Sequence, residues 1–243
     1  MSENLSNGCT SFSSHADLNN AVVSCELCPR LRRYCSIIAK KKRRQFRDWK
    51  YWGKPLPGFG DSEARLMILG LAPAAHGGNR TGRMFTGDGS GQFLMAGLHR
   101  FGFANKPTSD GVDDGLQLRD AYMTAIVRCA PPKNKPTRTE VGKCRRYWIQ
   151  ELRRLRTVRV VLALGRVAFD TYIRFLNEQG IEIGNLRFTH AAFYTLPLPF
   201  PALCASYHPS RQNTQTGKLT EKMFYEVFRK IQKFLEWRCT NVF

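Results

Sequence analysis

The stretch that most constrains the fold is VRVVLALG at residues 158–165. It is a short apolar run ending in glycine, as expected of a strand covered on both faces, and it leads into a helical pattern, VAFDTYIRFLNEQG, that stops at Gly180. The same rhythm recurs on either side. Apolar runs predict strands at 65–71, 121–128 and near 201–206, and helical patterns predict helices at 89–100, 139–155 and 217–237. Strands alternating with helices imply an α/β fold in which a mostly parallel sheet is sandwiched by helices. The ligand crevice then lies outside the carboxyl ends of the strands. Residues 21–243 read as one globular domain, and residues 1–20, rich in Ser and Asn, read as a disordered tail.

Charge narrows the partner. The chain carries 38 Lys and Arg against 19 Asp and Glu, a formal net charge of +19, which favours a polyanion, with nucleic acid the natural candidate. An anionic membrane is the weaker alternative, because no run of about 18 apolar residues exists and no basic amphipathic helix with a Trp/Leu face stands out. The N-terminus lacks the basic and apolar regions of a secretory signal, so the expected location is the cytoplasm. From Arg30 to Lys54 there are eleven basic residues and one acidic one, with Phe46, Trp49, Tyr51 and Trp52 interleaved. This composition suits a segment that tracks a phosphate backbone over packed aromatics, and it equally suits a solvated basic helix with aromatic core anchors.

Two loops at predicted strand ends carry the chemistry. The first, GLAPAAHGGNRTGRMFTGDGS from Gly70 to Ser90, has glycines that let backbone approach a flat ligand. Phe85 offers an aromatic face and Asp88 a carboxylate three residues later; His208 opens the second loop, HPSRQNTQTGKL. Each has a plainer reading: Phe85 as core, Asp88 as the N-cap of the following helix, His208 as a polar loop residue. Four of the eight cysteines are suggestively spaced, Cys25 and Cys28 as C-x2-C and Cys129 and Cys144 as C-x14-C. In a reducing compartment such thiols enclose a metal centre or stand as separate free thiols. Spacing alone leaves the two even and does not separate zinc from an iron-sulfur cluster. Cys9, Cys35, Cys204 and Cys239 read as ordinary.

The segments GLAPAAHGGNRTGRMFTGD, VRCAPPKNKPT and YHPSRQNTQTGKL closely resemble the family-five (type B) uracil-DNA glycosylases of the uracil-DNA glycosylase superfamily. The likeness runs from about Cys25 to about Leu235, leaving out the tail and loops such as KPTSDGVDDGLQ. It implies a three-layer α/β/α fold around a four-stranded sheet and a monofunctional repair glycosylase acting on uracil and on other deaminated bases such as hypoxanthine. It also implies a 4Fe-4S cluster on Cys25, Cys28, Cys129 and Cys144, with a mainly structural role. Damaged duplex DNA is the expected partner of a monomer.

Base release by hydrolysis builds positive charge on the sugar and negative charge on the departing base. The expected catalytic residues are therefore His208, donating to a base carbonyl, and Asp88, orienting water or stabilising the sugar cation. Asn134, matching a family Asn, offers its amide to the base edge, against an alternative as a turn residue between prolines. Ala74 and Ala75 stand where related families place a polar residue to activate water. Phe85 is the expected stacking platform, with His76 and Asn79 on base or phosphate. Ser210 is expected on phosphate, and Arg211 or Gln212 near the vacated stack. An iron-sulfur DNA-binding regulator would share the charge and the cysteines without needing the base-binding residues. A metal-dependent nuclease would need more carboxylates than Asp88.

Overall fold

A computed structural model describes residues 12–240, with side chains through residue 236. Four buried five-residue strands form the parallel heart of the sheet: β2 (Leu66–Gly70), β3 (Ala121–Ala125), β4 (Val160–Leu164) and β6 (Ala202–Ser206). Two short antiparallel strands close the edges, β1 (Phe59–Gly60) on β3 and β5 (Phe193–Tyr194) on β6, giving the order β1-β3-β2-β4-β6-β5. The expected four parallel strands are present, and the count is corrected to six. Two-residue edge strands carry no periodic pattern, so nothing in the sequence marks them.

Helices cover both faces. On one face lie α1 (His15–Val23), α2 (Pro29–Lys41), α5 (Arg138–Arg154) and α6 (Arg166–Glu178); on the other lie α4 (Gly89–Arg100) and α8 (Glu221–Thr240). Short helices α3 (Gly78–Thr81) and α7 (Arg211–Gln215) belong to the loops that follow β2 and β6. Strand side chains alternate between layers: Met67, Leu69, Val161, Ala163, Leu203 and Ala205 meet the first, while Leu66, Ile68, Val160, Leu162 and Cys204 meet the second. Burial on both faces explains the continuous apolar runs. Gly97 of α4 permits close packing on α8, since a Cβ there would fall 2.8 Å from the Phe228 ring.

The tail prediction needs correction over its described part. Ser14 caps α1 by accepting from Asp17 N at 3.0 Å, and Leu18 and Val22, four residues apart, are fully buried against the sheet's first layer. A helix with only two buried anchors leaves a weak periodic signal amid Ser and Asn. Residues 1–11, with Cys9, and the side chain of Cys239 lie outside the described residues.

The chain runs from β2 to β3 on one side and returns through β4 to β6 on the other, so the order reverses between β2 and β4. Loops diverge at such a point and open a crevice at the carboxyl ends of the strands. The loops after β2 and β6 both emerge there.

Candidate active site

A cleft of about 40 Å³ lies at this end of the sheet, lined by Ala72, Pro73, Ala74, Met84, Phe85, Asp88, Ser90, Ala125 and His208. It brings together both loops that the sequence singled out. At roughly 10–15 Å³ per water centre it has room for a few waters. A larger cavity of about 560 Å³ lies at the amino ends of the strands, lined by Arg65, Arg156, Arg159, Leu198 and Phe200 among others. It holds no histidine or carboxylate. Chemistry, not size, therefore selects the smaller cleft.

Phe85 sits at φ 49, a left-handed conformation unusual for an aromatic residue, which throws its ring across the end of β2. Gly70 makes room, because a Cβ there would lie 2.7 Å from the ring edge. The ring faces the His208 imidazole across 6.3 Å at 32°. His208 is held by its backbone: its carbonyl accepts from Asn213 Nδ2 at 2.8 Å and from Ser210 N at 2.8 Å. Its ring nitrogens have no hydrogen-bond partner among the described residues. Burial lowers the imidazole to about 4, so the ring is neutral near pH 7.

Asp88 fulfils its plainer expectation and still faces the cleft. Its Oδ1 accepts from Gly91 N at 2.9 Å as the N-cap of α4. Its Oδ2 packs on Gly77, where a Cβ would come within 2.0 Å. Burial pushes the carboxyl above the ordinary carboxylate value, opposed by the N–H groups of Gly91 and Ser90 and by the charge of Arg80.

The two arginines of the first loop are buried, which the sequence reading missed. Arg80 donates from Nε to His76 O and from Nη2 to Gly87 O, both at 2.8 Å. Arg83 pairs with Asp114 at 2.6 Å and donates to Ser109 Oγ and Thr86 Oγ1, each at 3.0 Å. Burial alone would raise the Asp114 carboxyl. Arg83 and the N–H groups of Leu116, Asp110 and Gly111 outweigh it and hold that carboxyl far below its usual range. The 105–118 loop thereby braces the turn that carries Phe85 and Asp88. Nothing in the glycine-rich sequence around them marks these arginines as buried, and only the tertiary packing turns them inward.

Three expected ligand residues are placed elsewhere. Asn79 is fully buried, its Nδ2 donating to Cys35 O and Ala75 O at 3.4 Å each, so its side chain is packed inside the loop and does not line the cleft. His76 Nδ1 pairs with Tyr51 Oη at 3.0 Å, and its imidazole is lowered by burial and then by Arg43 and Arg80. Asn134 is exposed in the turn Pro132–Asn134 at φ 56, outside the cleft lining, as its turn-forming alternative required. In the second loop, Ser210 caps α7 by accepting from Asn213 N at 3.3 Å, while Arg211 and Gln212 are exposed. The Arg211 stem lies against Gly89, 3.3 Å from where a Cβ would stand, which joins the two loops.

The four spaced cysteines are free thiols that belong to or pack on one core layer. Cys28 precedes α2, Cys129 follows β3, and Cys144 lies on α5. Burial pushes the Cys144 thiol up to about 12, and the neighbouring Cys25 and Cys28 add to it; its Sγ accepts from Arg128 N at 3.3 Å. Among the described residues no three His, Cys, Asp or Glu side chains are gathered closely enough to hold one metal ion. Cys35, read as ordinary, is buried against Cys129 and donates to Ala130 O at 3.5 Å. No described helix is long and apolar enough to cross a membrane.

Comparison with known proteins agrees with this geometry. The pattern of the uracil DNA glycosylase superfamily matches residues 57–232. A type-5 uracil-DNA glycosylase of Thermus thermophilus is 50% identical over 212 residues, covering 87% of this chain and 94% of the relative. One from Pyrobaculum aerophilum is 44% identical over 214 residues, covering 88% and 90%. A type-4 uracil-DNA glycosylase of the same organism is 29% identical over 162 residues, covering 66% and 74%. With every strand of the sheet inside the matched region and both cleft loops in place, the chain belongs to the uracil-DNA glycosylase superfamily, in its type-5 branch.

Proposed function

We propose that this protein hydrolyses the N-glycosidic bond of uracil, and of other deaminated bases such as hypoxanthine, in duplex DNA. The product is an abasic site, and the enzyme acts as a monomer in the cytoplasm. The observation that carries the reading is the pairing across one cleft of a neutral imidazole with free ring nitrogens and a partly buried carboxylate. Uracil departs as an anion. The neutral His208 ring supplies an N–H to the base carbonyl as charge grows there, without surrendering a proton. The Asp88 carboxylate opposes it electrostatically and stabilises positive charge developing on the sugar. Asp88 is also the only carboxylate among the described residues that line the cleft, and it is the group assigned to orient water, because Ala74 provides no polar side chain.

Phe85 supports the extruded base by its face, which every base can match. Asn134, Ser210, Arg211 and Gln212 are assigned to the DNA rather than to the cleft wall, as the exposure of Asn134, Arg211 and Gln212 allows. His76 acts through its bond to Tyr51, within the basic aromatic segment.

The four thiols suit a 4Fe-4S cluster. Two of them are buried with no disulfide, and one has a backbone N–H aimed at its sulfur, as a thiolate ligand requires. Cys25, Cys28, Cys129 and Cys144 would hold it, and when bound it would cross-link the start of α2, the loop after β3 and α5. A non-catalytic regulator would have no use for Phe85, Asp88 and His208 around one cleft.

End-labelled duplexes with a single uracil or hypoxanthine test the reading. Strand scission that appears only after alkali is expected, since base release leaves the backbone intact. No scission in either duplex, with DNA binding retained, would reverse it.

A further inference from the structure

The structure links the base-holding turn to the basic segment at residues 43–53 through one side chain. Arg80 is 3% exposed and has no carboxylate partner among the described residues. Its guanidinium lies in the angle between the Phe46 and Trp49 rings, 3.9 and 4.1 Å from their centroids, and those rings form an edge-to-face pair. Two of its nitrogens hold the His76 and Gly87 carbonyls, one on each side of the loop. The turn is shaped around it: Gly87 has φ 75, and a Cβ there would come within 2.2 Å of Nη2. Backbone bonds from Trp52 N to Arg80 O at 2.9 Å and from Gly53 N to Asn79 O at 3.0 Å tie the same two segments together.

The segment that Arg80 reaches is basic and exposed, as a surface that meets a phosphate backbone requires. Arg43, Arg44, Arg47 and Lys50 are exposed, as is Trp49 at 42%. Meanwhile Arg80 Nη1 is buried without an acceptor among the described residues. A residue kept only for packing would be cheaper as an apolar one, because a buried charge with an unmade hydrogen bond costs stability. What the buried guanidinium does reach is the site, since its charge acts directly on Asp88.

We infer that Arg80 is a positioning residue that sets the Phe85–Asp88 turn for base release and makes that geometry depend on the Phe46–Trp49 segment as it lies on the DNA backbone. This rests on the glycosylase reading above. Phe46 and Trp49 grip the guanidinium, the guanidinium fixes Gly87 O, and the adjoining residue is Asp88. The aromatic segment therefore contributes to the rate as well as to binding.

The test compares the full-length protein with Arg80→Lys, Trp49→Leu and the double variant. It measures single-turnover release of uracil at saturating enzyme, binding of an intact duplex, and thermal stability. Arg80→Lys keeps the charge and loses the planar fork; it is expected to slow release roughly 10- to 100-fold, as small misplacements of catalytic groups do, with intact-duplex binding unchanged. Trp49→Leu should slow release less, and the double variant should be no slower than Arg80→Lys alone, since the two act in one chain of contacts. Normal release by Arg80→Lys, or additive losses, overturns the inference. If Arg80→Lys does not fold, Trp49→Leu decides at its exposed position: weaker binding with a normal saturated rate refutes the coupling, and a slower saturated rate supports it. Absence of release by the unmodified protein would defeat the glycosylase reading, and this inference with it. Normal release by both the protein and its Arg80 variant defeats the inference alone.

Discussion

At the scale of the residue, the proposed mechanism divides the work between Asp88 and His208 by environment. Asp88→Asn keeps an oxygen for the Gly91 cap yet loses the charge. It should lower base release by roughly 100-fold while sparing DNA binding, measured by single-turnover kinetics beside equilibrium binding. His208→Gln removes the donor proposed to face the base and should cost roughly 100- to 1000-fold. The acidic limb of the rate profile tests the electrostatics. Asp88 titrates above its ordinary 3.8 and His208 near 4, and both groups contribute to that limb in the unmodified enzyme. In His208→Gln only Asp88 remains, and its residual rate should fall as pH drops through a point above 3.8. His208 also links pH to stability. The unfolded chain protonates it below 6.5 and the folded chain only near 4, so acidification across that window destabilises the native state. The melting temperature of His208→Gln should therefore fall less than that of the unmodified protein as the solution is taken from neutral pH to a point inside that window. Phe85, Asp88 and His208 were legible as cleft residues because each lies in a loop after a buried strand, and Ala74 through the family resemblance. Asn79 and Arg80 were not, since their sequence neighbours say nothing of which way the short helix α3 turns them.

At the scale of the element, the four central strands were legible because burial on both faces leaves an apolar run that little else explains. Edge strands and α1 were hidden for the opposite reason, that each contributes only a residue or two to the core. Helix α5 shows how a local signal and a distant one converge. Thr137 and Glu140 form a capping box, and Arg30 of α2 grips Glu140 through Nε at 2.8 Å and Nη2 at 2.7 Å. Thr137→Ala should cost about 1 kcal/mol, read from urea unfolding, because the Arg30 pair still anchors the helix start. A much larger loss is expected one layer deeper. Glu151, fully buried on α5, accepts from Tyr122 Oη at 3.2 Å and Thr124 Oγ1 at 2.5 Å and pairs with Arg128. Glu151→Gln leaves the Arg128 charge uncompensated beside Cys129, and removing one partner of such a pair costs about 3–5 kcal/mol. That site was invisible in the sequence, where Glu151 looks like one more charge on a basic helix.

At the scale of the whole molecule, a net charge of +19 acts on any duplex, whereas the cleft acts on one base at a time. The two should separate under salt. Phosphate contacts release counterions, so affinity for intact and uracil-bearing duplexes should fall along parallel lines as salt rises, with slopes set by the number of phosphates neutralised. Lys40, Lys41, Arg43 and Arg44 are exposed at the end of α2 and just beyond it, in the segment that leads to the Phe46–Trp49 pair. Replacing all four by Gln should lower the slope by about one for each phosphate that is no longer neutralised, and weaken both duplexes equally. The preference for the damaged duplex should survive, because in the proposed mechanism it arises where Phe85 and His208 meet the extruded base. This fourfold variant should also release uracil at the normal rate once enzyme saturates the DNA, since its substitutions leave Phe46, Trp49 and Arg80 in place. Titration of binding against salt for both duplexes, beside the saturated rate, checks all of this. A slope that does not change would move the phosphate-tracking surface elsewhere on the molecule, and a vanished preference would mean that this segment reads the lesion itself.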